Sequence, residues 1–284
     1  MQCPECNEKI LEYMRLCPNC EADVGFPNVR KAKSDEELSI LNDKVELVRK
    51  KAKSKDCADI LDSFEMAVRG SFAVICSSLG KINELISDDN ALYSNYYKAI
   101  GSEGKLPQDN KFDVIRTSVD NLFFPNYFQE IRFGALSIDG VGVVDYGNCC
   151  MALKDLAIKK RATVFTENII MFANKNNLRV VDTIIPAGNR AAWPDRSLLA
   201  LAKLGDKITS ETKESEFQNI LMPSCERDGD FIEVHIYGLI KGSAIERITF
   251  NSSTKKYRKE DSVLFKSISR KAAEKGIIAQ EVIS

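Results

Sequence analysis

The sequence is poor in histidine and tryptophan, with one of each in 284 residues, and has almost no net charge, with 40 Lys and Arg against 41 Asp and Glu. A single histidine cannot supply a His-x-x-x-His metal pair. A net charge of −1 gives no global field to draw the chain onto nucleic acid or an anionic membrane, although a local patch still could. No apolar run reaches the roughly 20 residues of a bilayer span, and no secretory leader is recognisable, so no membrane partner and a cytoplasmic location are expected. A Gly-x-Ser-x-Gly elbow, a Walker loop and a Gly-x-Gly-x-x-Gly fingerprint are all missing. Gly140-Val-Gly142 lacks the third glycine and a following helix, and Asp139, Asp145 and Glu167 are too loosely spaced for a nuclease cluster. No internal repeat or low-complexity segment is evident.

Cysteine is well represented, and four of the nine stand at the N-terminus as Cys3-Pro-Glu-Cys6 and Cys17-Pro-Asn-Cys20. Two Cys-x-x-Cys knuckles ten residues apart suit a tetrahedral thiolate site for zinc, because each knuckle turns tightly enough to aim two sulfurs at one point. Pro4 and Pro18 stiffen the turns. Rubredoxin-like iron, a redox Cys-x-x-Cys or two disulfides are the other readings of these four residues. With Cys3, Cys6, Cys17 and Cys20 as ligands no coordination position stays open, so the expected zinc is structural. Cys57, Cys76, Cys149, Cys150 and Cys225 show no even spacing, which argues against a disulfide framework and for reduced, packed thiols. Adjacent residues of a strand point to opposite faces, which separates Cys149 from Cys150.

Hydrophobic patterning divides the chain into a zinc ribbon (1–27), a helical connector (34–123) and an α+β domain (124–284) with a mixed or antiparallel sheet. Ser34-Asp-Glu-Glu37 reads as a capping box. Leu38, Leu41, Val45 and Val48 follow at 3-4-3 spacing, the pattern of a short coiled coil or a docked amphipathic helix, so self-association through residues 38–52 is an expectation. The basic run Arg49–Lys55 reads as a solvated helix end. Cys57 to Ile86 reads as one helical stretch interrupted by Gly70 and Gly80. Residues 91–100 and 111–122 read as further helices, with a polar loop between them. After Pro125 come strand patterns at 132–140, 146–153, 161–167 and 180–185, helices at 154–160 and 194–204, and the cleanest strand, Phe231–Tyr237. Residues 244–250 are expected to pair with that strand, and 277–283 to close the sheet.

Chemistry is concentrated on the last of those strands. Period-two alternation places Ile232, Val234 and Ile236 on one face, and Phe231, Glu233, His235 and Tyr237 on the other. A carboxylate held on a rigid strand can act as general base or stabilise a developing cation. The same residues also suit the solvent side of an edge strand. Asn189 to Arg196 holds Arg190, Trp193 and Arg196, which suit ring stacking and phosphate pairing, or else a loop pinned by a buried tryptophan. Tyr146-Gly147 and Arg161-Ala-Thr163 could line a cleft at the sheet edges.

From about residue 130 onward the order of elements resembles ADP-ribosyltransferase-like domains. Arg132-Phe-Gly-Ala-Leu-Ser137 looks like their early strand, Tyr146-Gly147 and Arg161-Ala-Thr163 like the middle element, and Phe231-Ile-Glu233-Val-His235-Ile-Tyr237-Gly238 like the late strand. The resemblance implies NAD as substrate. It makes Glu233 the residue that stabilises the oxocarbenium-like ribose, with Arg132 or Arg190 on the phosphates and Tyr146 near the nicotinamide. Phe231 stands where that family has a second Glu or Gln, and no Ser-Thr-Ser element is present. The alternative from the sequence is a non-catalytic zinc-ribbon protein that binds a protein or nucleic-acid partner. Glu5, Glu8, Glu12, Glu21 and Asp23 make the ribbon acidic, which favours a protein partner over nucleic acid.

Overall fold

In a computed structural model, which describes residues 1–93, 97, 111–178, 184–252 and 259–282, eight strands form one sheet. They are β1 (Phe72–Ser77), β2 (Ile131–Ser137), β3 (Cys149–Leu153), β4 (Ala162–Phe165), β5 (Arg190–Ala192), β6 (Glu233–Tyr237), β7 (Ile245–Asn251) and β8 (Ile278–Val282). Their order is β5-β4-β6-β2-β1-β3-β7-β8. Every pairing is antiparallel except β7 with β8, which run parallel. The helices are α1 (Pro27–Ala32), α2 (Asp35–Ser54), α3 (Ala58–Arg69), α4 (Leu79–Ser87), α5 (Lys111–Phe123), α6 (Asp155–Ile158), α7 (Ile169–Lys175), α8 (Arg196–Leu204), α9 (Phe217–Leu221) and α10 (Lys259–Glu274). The α+β class with an N-terminal cysteine cluster follows the sequence pattern.

One face of the sheet is apolar. Ala73, Ile75, Leu136, Met151, Val164, Val234, Ile236 and Ile248 point from it into a core shared with α2, α3, α4, α8 and α10. Three of the four stripe residues of α2, Leu41, Val45 and Val48, lie in that core together with Ala52, and Leu38 is half-buried. It is therefore the docked-helix reading of the stripe that applies, since the surface needed for a coiled coil is already covered within the chain. Ser34 caps α2 by accepting from the Glu37 amide, and Asp35, Glu36 and Glu37 complement the helix dipole in the first turn.

Cys57 to Ile86 is not one helical stretch. Residues 72–77 leave the helix after Gly70 and form β1, in the middle of the sheet, because Phe-Ala-Val-Ile-Cys-Ser is β-branched and apolar enough to be buried on both faces. The region read as a helical connector thus contributes a central strand and part of the main core. The expected pairing of residues 244–250 with 231–237 is also corrected: β6 lies between β2 and β4, and β7 between β3 and β8. Residues 94–96, 98–110 and 179–183 lie outside the described set, so the expected helix at 91–100, the loop after it and most of the strand at 180–185 are not placed.

The other face carries the polar groups, covered by α5, α7 and the 138–148 loop. Cys76 and Cys150 face each other there across β1 and β3 and form a disulfide, correcting the expectation of reduced thiols for these two, while Cys57, Cys149 and Cys225 are free. Their neighbour Cys149 points to the apolar core, as strand alternation requires. The 138–148 loop packs closely on this region. A Cβ at Gly147 would lie 2.1 Å from the Ser77 carbonyl, so only glycine lets the chain pass.

The N-terminal ribbon holds a repeat that is not evident from the sequence as a whole. Residues 1–10 and 15–24 make the same knuckle: Cys3 N–H donates to Glu8 O and Cys17 N–H to Ala22 O, while Ile10 N–H donates to Met1 O and Val24 N–H to Arg15 O. Asn7 and Glu21 occupy the matching left-handed positions at φ 59° and 57°. The ribbon's buried apolar cluster comprises only Cys3, Ile10, Cys17 and Val24.

Candidate functional site

β6 is a central strand, so the polar side of its alternation is buried rather than solvated. Glu233 is 4% exposed and His235 3%. The edge-strand reading of these residues is corrected on this point: antiparallel partners on both sides and a covering layer of helices remove the solvent that would otherwise bathe them.

A buried carboxylate needs compensating donors. Glu233 Oε1 accepts from Asn168 Nδ2 at 2.9 Å, and Oε2 accepts from the Ile169 amide at 3.1 Å and lies 2.9 Å from His235 Nε2. Asn168 performs two tasks, because its Oδ1 also caps α7 by accepting from the Ile170 and Met171 amides. The sequence Asn-Ile-Ile is a helix-start signal that could have located this partner. Aromatic rings enclose the imidazole, with the centroid of Phe124 4.8 Å away, Phe133 5.5 Å and Phe165 6.1 Å. The pair is thus oriented and largely dry.

Two further ionisable groups belong to this face. Asp120 on α5 is 1% exposed and accepts a 2.6 Å hydrogen bond from the Tyr97 hydroxyl. Burial pushes its carboxyl up to about 7, while Tyr97 and Arg116 pull it down and the Glu233 charge pushes it further up. Tyr146, although 42% exposed, has a hydroxyl pushed up to about 12, by burial first and then by the Glu233 charge. The Arg227 guanidinium stacks 5.1 Å from its ring.

The candidate residues read from the sequence divide between the two faces. The β2–β6 register pairs Ala135 with Glu233 and Phe133 with His235, so Arg132 points to the opposite face. There it is buried and donates to the Glu130 carbonyl. Trp193 is likewise part of the apolar core, with Nε1 donating to Asp155 at 2.7 Å and Arg196 stacked 4.2 Å from its ring. Arg190 does share the face of Glu233, since Phe165 stands between them in one cross-strand row. Its Nε lies 2.7 Å from Glu37 Oε1. Glu233, His235, Tyr146 and Arg190 are therefore grouped on one side of the sheet, and Arg132 and Trp193 are not with them.

Beside Asn168 opens a cleft of about 450 Å³ lined by Lys44, Thr166, Glu167, Lys203, Asp228 and Asp230 among others. Lys203 donates to the Thr166 carbonyl and to Asp230, and burial holds its ammonium below the ordinary lysine value against the opposing pull of Asp230. Nothing local in the sequence marks this cleft, which is assembled from five separate segments.

The four N-terminal cysteines form the second site. All four sulfurs lie within 4.8 Å of one another, with Cys3–Cys20 at 3.6 Å and Cys6–Cys17 at 3.5 Å. A tetrahedron of ~2.3 Å zinc–sulfur bonds has edges of about 3.8 Å, so the set could hold a metal ion such as zinc after a small adjustment. The Glu8 amide and then the Asn19 side chain help bring the Cys6 thiol down to about 7, whereas, against the pull of the Ala22 amide, Cys6 and the other sulfurs push the Cys20 thiol up to about 12. Among the described residues no helix is long and apolar enough to cross a membrane. Compared with known proteins, the chain matches no protein-family model and no curated protein.

Proposed function

We propose that the polar face of β6 cleaves the nicotinamide–ribose bond of NAD, with ADP-ribose passing to water or to an acceptor side chain. The observation that carries this reading is the arrangement at Glu233: a buried carboxylate on a central strand, held by Asn168, Ile169 and His235 before any substrate arrives. As the glycosidic bond breaks, the electron pair leaves with nicotinamide and positive charge grows on the ribose. A carboxylate oriented in a dry site stabilises that charge without having to reorganise. The incoming nucleophile bonds to the anomeric carbon and gives up its proton, for which the neighbouring imidazole is the nearest base. The 450 Å³ cleft beside Asn168 has the size of a small-molecule site. Zinc in the four-cysteine ribbon is assigned a structural role, because four protein sulfurs leave no position for a substrate.

Glu233→Gln keeps shape and removes charge. Nicotinamide release is expected to fall by roughly 10²- to 10³-fold, the range measured when one preorganised electrostatic group is lost. Calorimetric titration with NAD beside the turnover assay separates binding from chemistry, since NAD should still bind the variant. A chain that neither binds NAD nor releases nicotinamide would overturn the reading.

A second reading has its own observation. Both Glu233 oxygens are engaged, so the carboxylate also braces α7 against β6, as it would in a protein that binds a partner without turnover. In that case Glu233→Gln would change stability alone.

A further inference from the structure

The Glu233–His235 pair is linked to the metal module by a continuous run of contacts. Arg30, on α1, donates to the carbonyls of Glu12 at 2.6 Å, Met14 at 2.8 Å and Val24 at 3.2 Å, and also to Gly25, which fastens the ribbon to the first helix. The Arg15 guanidinium lies 4.4 Å from the Phe26 ring, and that ring lies 5.3 Å from Tyr237 on β6. Asn28 stands between these anchors, 3% exposed, with its Nδ2 directed at the seam of β4 and β6. Its partners there are Arg161 O at 3.0 Å, Thr163 Oγ1 at 3.4 Å and the carbonyl of His235 itself at 3.4 Å.

A cavity of about 10 Å³ adjoins this residue, lined by Asn28, Tyr127, Thr163, Arg190 and His235 among others. Asn28 Oδ1 and Arg190 Nη2 are buried with no hydrogen-bond partner among the described residues, and both side chains line that cavity. One acceptor and one donor around a space of this size match a single buried water.

We propose that Asn28 is a positioning residue that couples the metal ribbon to the His235 ring. It braces the His235 carbonyl directly, and through one buried water it joins the imidazole's surroundings to Arg190. The four-cysteine site keeps this brace in place, because the ribbon's own apolar cluster is too small to hold its fold without a metal. Loss of the metal frees the carbonyls that grip Arg30, α1 loosens, and Asn28 leaves the seam. The inference concerns the geometry of the Glu233–His235 pair and does not depend on the NAD chemistry.

The chain's single histidine makes the test unambiguous, because one pair of imidazole ¹⁵N resonances reports His235 alone. Long-range ¹H–¹⁵N spectra at fixed pH are compared for the zinc-loaded full chain, the chelator-treated chain, Asn28→Ala with zinc, and Asn28→Ala after chelation. Both single perturbations should shift the ring nitrogens, and chelation should add no further shift in Asn28→Ala, since the link is already cut. By reciprocity Asn28→Ala should also weaken zinc affinity, measured by chelator competition. His235 resonances that stay put on chelation, or shifts that simply add, would overturn the proposal. So would collapse of the whole sheet on chelation, seen by far-UV circular dichroism, because the proposed link is local. If Asn28→Ala does not fold, Arg30→Lys with zinc bound serves in its place and is expected to shift the same resonances.

Discussion

The two faces of β6 are equally buried and differ completely in chemistry. Val234 and Ile236, on one side, are fully buried in the apolar core. Glu233 and His235, on the other, are 4% and 3% exposed and survive burial only through hydrogen bonds to Asn168 and Ile169 and to each other. Apolar burial stabilises without further conditions, whereas each polar group on the second face requires a partner set in place by another part of the chain. Unconditional stability should therefore belong to the first face, and stability that depends on pH or redox state, together with any chemistry, to the second.

Ile236→Ala gives the largest expected effect on stability. Removing a fully buried isoleucine leaves a cavity and costs about 2–5 kcal/mol in chemical denaturation, while any turnover per folded molecule is retained. Equal loss of turnover per folded molecule would erase the distinction between the faces. Next is the disulfide on the polar face. Cys76→Ala removes a link between residues 74 apart in sequence and is expected to cost roughly 2–4 kcal/mol against the oxidised chain, and almost nothing against the reduced one. An identical midpoint for oxidised chain and variant would mean that the link does not constrain the fold.

The third effect depends on pH. Asp120 has its carboxyl raised to about 7, so between pH ~4 and pH ~7 the folded state binds more protons than the unfolded one. Stability should fall as pH rises through that window, by up to a few kcal/mol, and Asp120→Asn should flatten the slope. A slope unchanged in the variant would place the titrating group elsewhere. The smallest effect lies outside both faces. Arg15 and Asp23 form a 3.0 Å pair with about half of each side chain exposed, so Asp23→Asn should cost less than about 1 kcal/mol and less still in high salt.

The sequence revealed those features whose physics is local. Alternation along 231–237 divided β6 into its two faces, and the spacing of Cys3, Cys6, Cys17 and Cys20 located the cysteine cluster. The Ser34 cap located the start of α2, although the Glu37 carboxylate, expected to complete a capping box, pairs with Gly188 and Arg190 instead. What it concealed depends on distant partners. Whether β6 is an edge or a centre is decided by β2, about a hundred residues earlier in the chain, and β4, about seventy residues earlier, and no pattern within seven residues encodes that choice. The strand at 72–77 sits between two helices in an apolar run whose period fits either state. Arg132 differs from its neighbours in facing the apolar core, a matter of register with β6 rather than of residue type. Cys76 and Cys150 look like isolated thiols until β1 and β3 are aligned.

The polar face of β6 is proposed to perform chemistry that its apolar face only supports. That proposal is tested most directly by measuring nicotinamide release from NAD for Glu233→Gln and Val234→Ala side by side, each normalised to folded protein. A loss of roughly 10²- to 10³-fold is expected for the first and an unchanged rate for the second. Equal rates in the two variants, or no release from the unaltered chain, would contradict it.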